Sequence, residues 1–270
     1  MAMFPILRND SQTPQEVKTF HVSTATLEQP TNTTTKTEGP TLLTFDADWC
    51  PDFMMEYVYD IIKDTGIKST WFMTNKSDLI YRLQEDENVE LGVHPNFNHD
   101  STQGATSHQI MENLLKIVPN AESVRTHGLL QSTNILSLFN KYGIKNDSSL
   151  LFPLEKEIRP HQDMFSRLTR FPIYWADDVM MQQNKMGLYV NNQGLKVYLF
   201  HPIHIYLNSA DMESYENMKR FGQANLNKDN VKKFIGKSFG TRNLFVELIE
   251  YLKKQETFTI KEFSDSLPSE

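Results

Sequence analysis

Histidines, aspartates and one arginine gather at the C-terminal ends of the predicted strands of this 270-residue chain. Asp46 and Asp48 close TLLTFDAD, His94 follows VELGV, Arg125 and His127 end SVRTH, and His201 ends LKVYLFH. Trp175, Asp177 and Asp178 stand together after RFPIY. In barrels and open α/β sheets the loops at that end build the active site. Alternate residues of a strand face one side, so Asp46 and Asp48 can point into a single cavity, as a metal ligand beside a general base would. Asp48-Trp49-Cys50-Pro51 also reads as a turn or helix N-cap, and Asp46-Ala47-Asp48 as the metal-holding Asp-x-Asp of sugar-nucleotide transferases.

His94 begins the segment HPNFNHD, which also carries Asn96, Asn98 and His99. Imidazole beside carboxylate suits zinc or another divalent first-row metal, with one position open to water if the site is catalytic. Arg125 near Asp46 would hold that carboxylate ionised and oriented. His201, displayed where its strand stops before Pro202, is placed to give a proton to a leaving amine. Trp49, Phe97 and Trp175 offer rings that either stack on a sugar or belong to the core, and Asn96 offers an amide to a substrate.

The elements that must position these residues follow a βα rhythm. Strands are predicted over 41–48, 67–74, 89–94, 123–127, 144–150, 170–175 and 195–201, separated by amphipathic stretches. One of these, SHQIMENLLKIVP, carries Ile110, Leu114, Leu115 and Val118 on one helical face, and another, NILSLFNKYG, ends in a glycine. Such alternation argues for parallel strands with helices outside. Two helices around KFIGKSFGT and a short closing strand, TFTIKEF, are expected at the end. Residues 1–40, with their Thr-, Pro- and Asn-rich stretch, read as an arm leading into a domain over 41–270.

Composition excludes several classes. With 39% apolar, 11% aromatic and 23% charged residues, the chain is neither disordered nor of low complexity. A net charge of −7 gives no basic excess for a phosphate backbone, so no nucleic-acid partner is expected. No apolar run approaches the roughly 20 residues that span a bilayer. One cysteine, Cys50, forms no internal disulfide, and no secretory leader is evident, both compatible with the cytoplasm.

The ordered motifs resemble those of the NodB-type polysaccharide deacetylases, carbohydrate esterase family four, over about residues 41–265. Thr44-Phe45-Asp46-Ala47-Asp48 is similar to the family's Thr-Phe-Asp-Asp-Gly with the second Asp displaced by one. His94, Arg125, Trp175 with Asp178, and Leu199 with His201 match the later motifs in order. GVHPNF, VRTH and LFHPIH resemble the WbmS-like branch, associated with bacterial surface polysaccharide. The resemblance implies a distorted seven-stranded (β/α) barrel and metal-dependent removal of an N-acetyl or other N-acyl group from an amino sugar.

It further implies that Asp48 and His94 bind the metal, probed first as zinc with cobalt, nickel or manganese as substitutes. It assigns water activation to Asp46, the proton for the leaving nitrogen to His201, orientation of Asp46 to Arg125 and tuning of His201 to Asp178. The family's second metal histidine falls on Asn98, a poor ligand. His127, on the neighbouring strand, is the favoured third ligand, with Asn98 the alternative. Hydrolysis of a different C–N bond and a non-catalytic carbohydrate-binding barrel are the other functional readings.

Overall fold

A computed structural model describes residues 39–268 of the chain except 192, 223 and 224, so the arm read over 1–40 lies outside them apart from its last two residues. The first half runs β1 (Thr41–Asp46), α1 (Asp52–Ile62), β2 (Ser69–Met73), α2 (Leu79–Gln84), β3 (Val89–Val93), α3 (Ser107–Ile117), β4 (Ser123–Val124), α4 (Thr133–Lys141) and β5 (Asn146–Asp147). A hairpin, β6 (His161–Gln162) and β7 (Thr169–Arg170), leads to β8 (Ile173–Ala176), α5 (Asp177–Gln182), β9 (Lys196–Phe200), α6 (Pro202–Leu207) and α7 (Met212–Phe221). The chain ends in α8 (Thr241–Leu252), β10 (Thr257–Phe258) and α9 (Ile260–Asp265).

The strands form one sheet in the order β6-β7-β5-β4-β3-β2-β1-β9-β8, with β10 also paired to β1. Every pairing is parallel except β6 with β7. β1 is buried at every position because strands and helices cover both of its faces. At the far side the sheet curls back on itself. Ile173 of β8 donates its N–H to Leu150 O at 2.7 Å and accepts from Phe152 N at 2.9 Å, beside a parallel bridge between Leu151 and Ile173. The seven strands expected from sequence, β1 to β5, β8 and β9, thus go round a distorted barrel, and the hairpin and β10 are additions to it.

Local chemistry fixes the helices around this barrel. α3 is capped by Thr106, whose hydroxyl accepts the Gln109 N–H, and buries Ile110, Met111 and Leu114. α4 is capped by Ser132 and stops before Gly143, whose φ of +75° suits a residue without a Cβ. Gly92 in β3 answers a different need. A Cβ there would stand 2.7 Å from the Phe72 ring and from Ser123 O, so β3 approaches its neighbours closely just before His94.

The expected closing strand is cut short. Only Thr257 and Phe258 pair with β1, and Ile260–Asp265 is helical. Thr259 and Glu262 form a reciprocal capping box that satisfies two N–H groups at the helix start and outweighs the β-branched residues of TFTI. The first of the two expected helices near KFIGKSFGT is a 3-10 turn, Asn230–Phe234, and the second is α8. Among the described residues no helix is long and apolar enough to cross a membrane.

Candidate metal and catalytic site

Asp46 is the last residue of β1 and is 3% exposed. Asp48 reaches the same cavity by a turn rather than by strand alternation. Asp48 and Trp49 both take positive φ, +42° and +55°, and Cys50 N–H closes the turn on Ala47 O at 2.7 Å. Left-handed backbone at two consecutive non-glycine residues is strained, and it persists here because surrounding bonds fix it. Trp49 N–H donates to Thr74 Oγ1 at 3.0 Å, which pins the turn to the end of β2.

Three imidazoles converge on the Asp48 carboxylate. His94 Nε2 lies 3.1 Å and His127 Nδ1 2.9 Å from Asp48 Oδ1, while His201 Nε2 is 3.4 Å from Oδ2. Burial works to raise the Asp48 carboxyl, but the hydrogen bonds from His127 and His94 and the charges of His94 and His201 outweigh it and hold the group well below its usual range. The Asp48 hydrogen bond raises His127 above the ordinary histidine value in turn.

The donor set fits a metal. Zinc bonds of about 2.0–2.2 Å in a tetrahedron place neighbouring ligand atoms roughly 3.3–3.6 Å apart, close to the separations from Asp48 Oδ1. One ligand atom from each of Asp48, His94 and His127 lies within 4.8 Å of the others. His94 also keeps Nδ1 buried without a hydrogen bond, 3.8 Å from Asp46 Oδ2, so the ring joins the two carboxylates edge to edge. Asn98 stands apart. It is exposed, and its N–H donates to Asn96 Oδ1 at 3.0 Å in a local turn. His99 is fully exposed beside Asp100.

Arg125, fully buried, spends its guanidinium on fixed acceptors. Nη1 donates to Asp46 Oδ1 and Thr44 Oγ1, both at 2.9 Å, Nε to Ser148 O at 2.9 Å and Nη2 to Ser148 Oγ at 2.7 Å. A buried charge pair held by this many bonds orients Asp46 rigidly, and removing one partner would strand the other in low dielectric.

His201 Nδ1 is 2.7 Å from Asp177 Oδ1, and the His201 backbone N–H donates to Asp177 Oδ2 at 2.8 Å. Asp177, not Asp178, therefore holds the histidine. Ala176 ends β8 and Asp177 turns straight into the site as the first residue of α5, whereas Asp178 bends back to accept the Val179 N–H. Burial would lower His201, but the Asp177 charge and hydrogen bond, with Asp178 and Asp48 beyond, push it well above its ordinary value. His204 is also buried here, with Nδ1 3.2 Å from Ser209 Oγ, and burial and His201 push it well below. Asp177, His201 and His204 also lie within metal-binding reach of one another. Both Asp177 oxygens already bond His201, Oδ1 at its ring and Oδ2 at its backbone N–H.

Trp175 does not reach substrate. It is 0% exposed, its ring 4.8 Å from Phe200 and 5.9 Å from Tyr198 in the core behind the site. Its strand position was legible, but its face was not, because β8 is buried at every residue. Trp49 is half-buried at the mouth, edge-on to His127 at 5.2 Å. Asn96, two residues after His94, is half-buried, with its N–H given to Gln103 Oε1 and its Oδ1 accepting the Asn98 N–H. Sequence reasoning passed over Asp177 as the partner of His201, although its place directly after a strand was the available signal.

Residues 43–219 match the WbmS-like polysaccharide deacetylase family. Among solved structures, WbmS of Bordetella bronchiseptica, assigned as a polysaccharide deacetylase involved in O-antigen biosynthesis, is 29% identical. The match covers 79% of this chain and 91% of that one, with a TM-score of 0.72. A family 4 carbohydrate esterase from Bacillus anthracis is 13% identical over 85% of this chain and 84% of its own, with a TM-score of 0.41. No curated protein matches. The length of the family match, together with the likeness to WbmS over nearly that whole structure, establishes that the chain belongs to the WbmS-like polysaccharide deacetylases.

Proposed function

We propose that this chain hydrolyses an N-acetyl, or other N-acyl, group from an amino sugar of a bacterial surface polysaccharide or its precursor. A divalent metal, zinc foremost, would be held by Asp48, His94 and His127. The observation that carries this is the meeting of His94 and His127 on Asp48 Oδ1, with Asp46–Arg125 on one side and His201–Asp177 on the other. An ion bound there supplies Lewis acidity to the acyl carbonyl and to a water.

The chain's own groups do the rest. Asp46, kept oriented by Arg125, takes a proton from the attacking water. The water oxygen bonds to the acyl carbon, the C–N bond breaks, and the His201 imidazolium gives its proton to the departing nitrogen, leaving a carboxylic acid and a free amine. Asp177 keeps that imidazolium charged and turned toward the cavity. Trp49 at the mouth offers an edge for the sugar, and the Asn96 amide NH2 is free to meet a hydroxyl.

The Asp177 interaction has a readable sign. Its negative charge favours protonated His201, so Asp177→Asn lowers the pKa of the proton donor. The alkaline limb of the kcat/KM profile is expected to move to lower pH, by about one unit for each 1.4 kcal/mol of lost interaction. An unmoved limb would assign the titration to another group.

The third ligand tests the reading. Apo protein titrated with zinc should show His127→Ala weaker than Asn98→Ala by about 10-fold or more, with acetate release falling in parallel, as loss of a direct ligand costs more than loss of a distant amide. Equal affinities, or the larger loss at Asn98, would overturn the assignment.

A further inference from the structure

Gln103 sits on the loop between β3 and α3, outside every motif named above, and is 8% exposed. Its side chain makes three bonds to backbone. Nε2 donates to Thr74 O at 2.8 Å and to His94 O at 3.0 Å, and Oε1 accepts the Asn96 N–H at 2.7 Å. All the amide's hydrogens are thus given to the carbonyls that end β2 and begin the loop after β3.

Each end of this bridge leads to a site residue. Thr74 Oγ1 accepts the Trp49 N–H and so pins the left-handed turn that carries Asp48. His94 itself supplies the second carbonyl, and Asn96 N–H fixes the backbone immediately after it. Gln103 is in turn held by Ser101, whose Oγ accepts its N–H at 3.2 Å, and by Asn113 of α3, whose Nδ2 donates to its carbonyl at 2.8 Å. One amide therefore ties the end of β2 to the loop that carries His94, and Thr74 Oγ1 passes the tie on to the turn that brings Asp48 to 3.1 Å from His94.

We propose that Gln103, acting through Thr74, is the positioning residue that sets the spacing of Asp48 and His94 and thereby tunes metal affinity. The inference rests on the metal reading of the site. Its physical basis is that a ligand set binds tightly only when its separations are fixed before the ion arrives, and side chains that orient ligands typically contribute 10–100-fold in affinity. Only a side chain with two amide hydrogens and an acceptor meets this bridge. A carboxylate of the same size turns two attractions with carbonyl oxygens into repulsions.

The test is zinc titration of apo wild type, Gln103→Glu, Thr74→Val and Thr74→Ser, each also melted without metal. Thr74→Val removes the acceptor for Trp49 N–H while keeping shape, and Thr74→Ser restores it. The inference expects Gln103→Glu and Thr74→Val to weaken zinc binding by about 10–100-fold and Thr74→Ser to bind as wild type. If Gln103→Glu and Thr74→Val melt earlier but bind zinc as wild type at temperatures where they are folded, Gln103 is merely structural and the inference falls. If wild type itself binds no zinc, the metal reading of the site falls first, and the two failures are told apart.

Discussion

Asp48→Ala and His94→Ala are each expected to abolish stoichiometric zinc binding and all detectable acetate release. Asp48 Oδ1 is the one atom that both His94 Nε2 and His127 Nδ1 face, at 3.1 and 2.9 Å, so its loss leaves two imidazoles with no anion between them. His94 is the most deeply buried of the three, at 1% exposure, and Ala in its place leaves a hole that no neighbouring histidine fills. His99, next in sequence among the histidines, is fully exposed and points away. Removing one of three protein ligands is expected to weaken zinc by more than about 100-fold, beyond the 10–100-fold typical of groups that only orient ligands. Metal analysis after gel filtration checks it, and a stoichiometric zinc in either variant would move the centre elsewhere.

Asp46→Asn should do the opposite to the metal and as much to turnover. The amide keeps the shape and its oxygen still accepts from Arg125 Nη1, now 2.9 Å from Oδ1, so the site geometry is retained, while the buried guanidinium loses its counter-charge and the variant is expected to melt earlier. What is lost is a base. Turnover is expected to fall by about 10²–10⁴-fold with zinc content unchanged, the usual worth of a positioned proton acceptor. Loss of zinc together with activity would instead make Asp46 part of metal retention, through His94 Nδ1 at 3.8 Å. Unchanged turnover would make it scaffold.

The sequence carried the barrel and most of the site because both rest on local signals. A period of strand and amphipathic helix predicts parallel strands, and polar residues at strand ends predict where loops converge. It misplaced what depends on direction rather than position. Trp175 faces the core, since a fully buried strand carries no alternation to mark its two faces, and Asp178, one residue past Asp177 in α5, acts on His201 only by its charge while its carboxylate accepts the Val179 N–H. Asp48 arrives by a turn that was one of the readings of Asp48-Trp49-Cys50-Pro51, but its left-handed backbone at Asp48 and Trp49 was not announced, because such backbone is usually signalled by Gly or Asn. Gln103 was invisible for another reason. Its role lies in bonds to the backbone just past the ends of the neighbouring strands β2 and β3, which no residue spacing encodes.

The most direct measurement is acetate release from an N-acetylated amino-sugar polymer by wild-type protein before chelation, after chelation, and after one equivalent of zinc is restored. The account predicts acetate and free amine formed in equal amounts by the starting and zinc-restored protein and none by the chelated one. Release that survives complete removal of metal, or its absence from every N-acetylated glycan offered to the zinc-loaded protein, would contradict it.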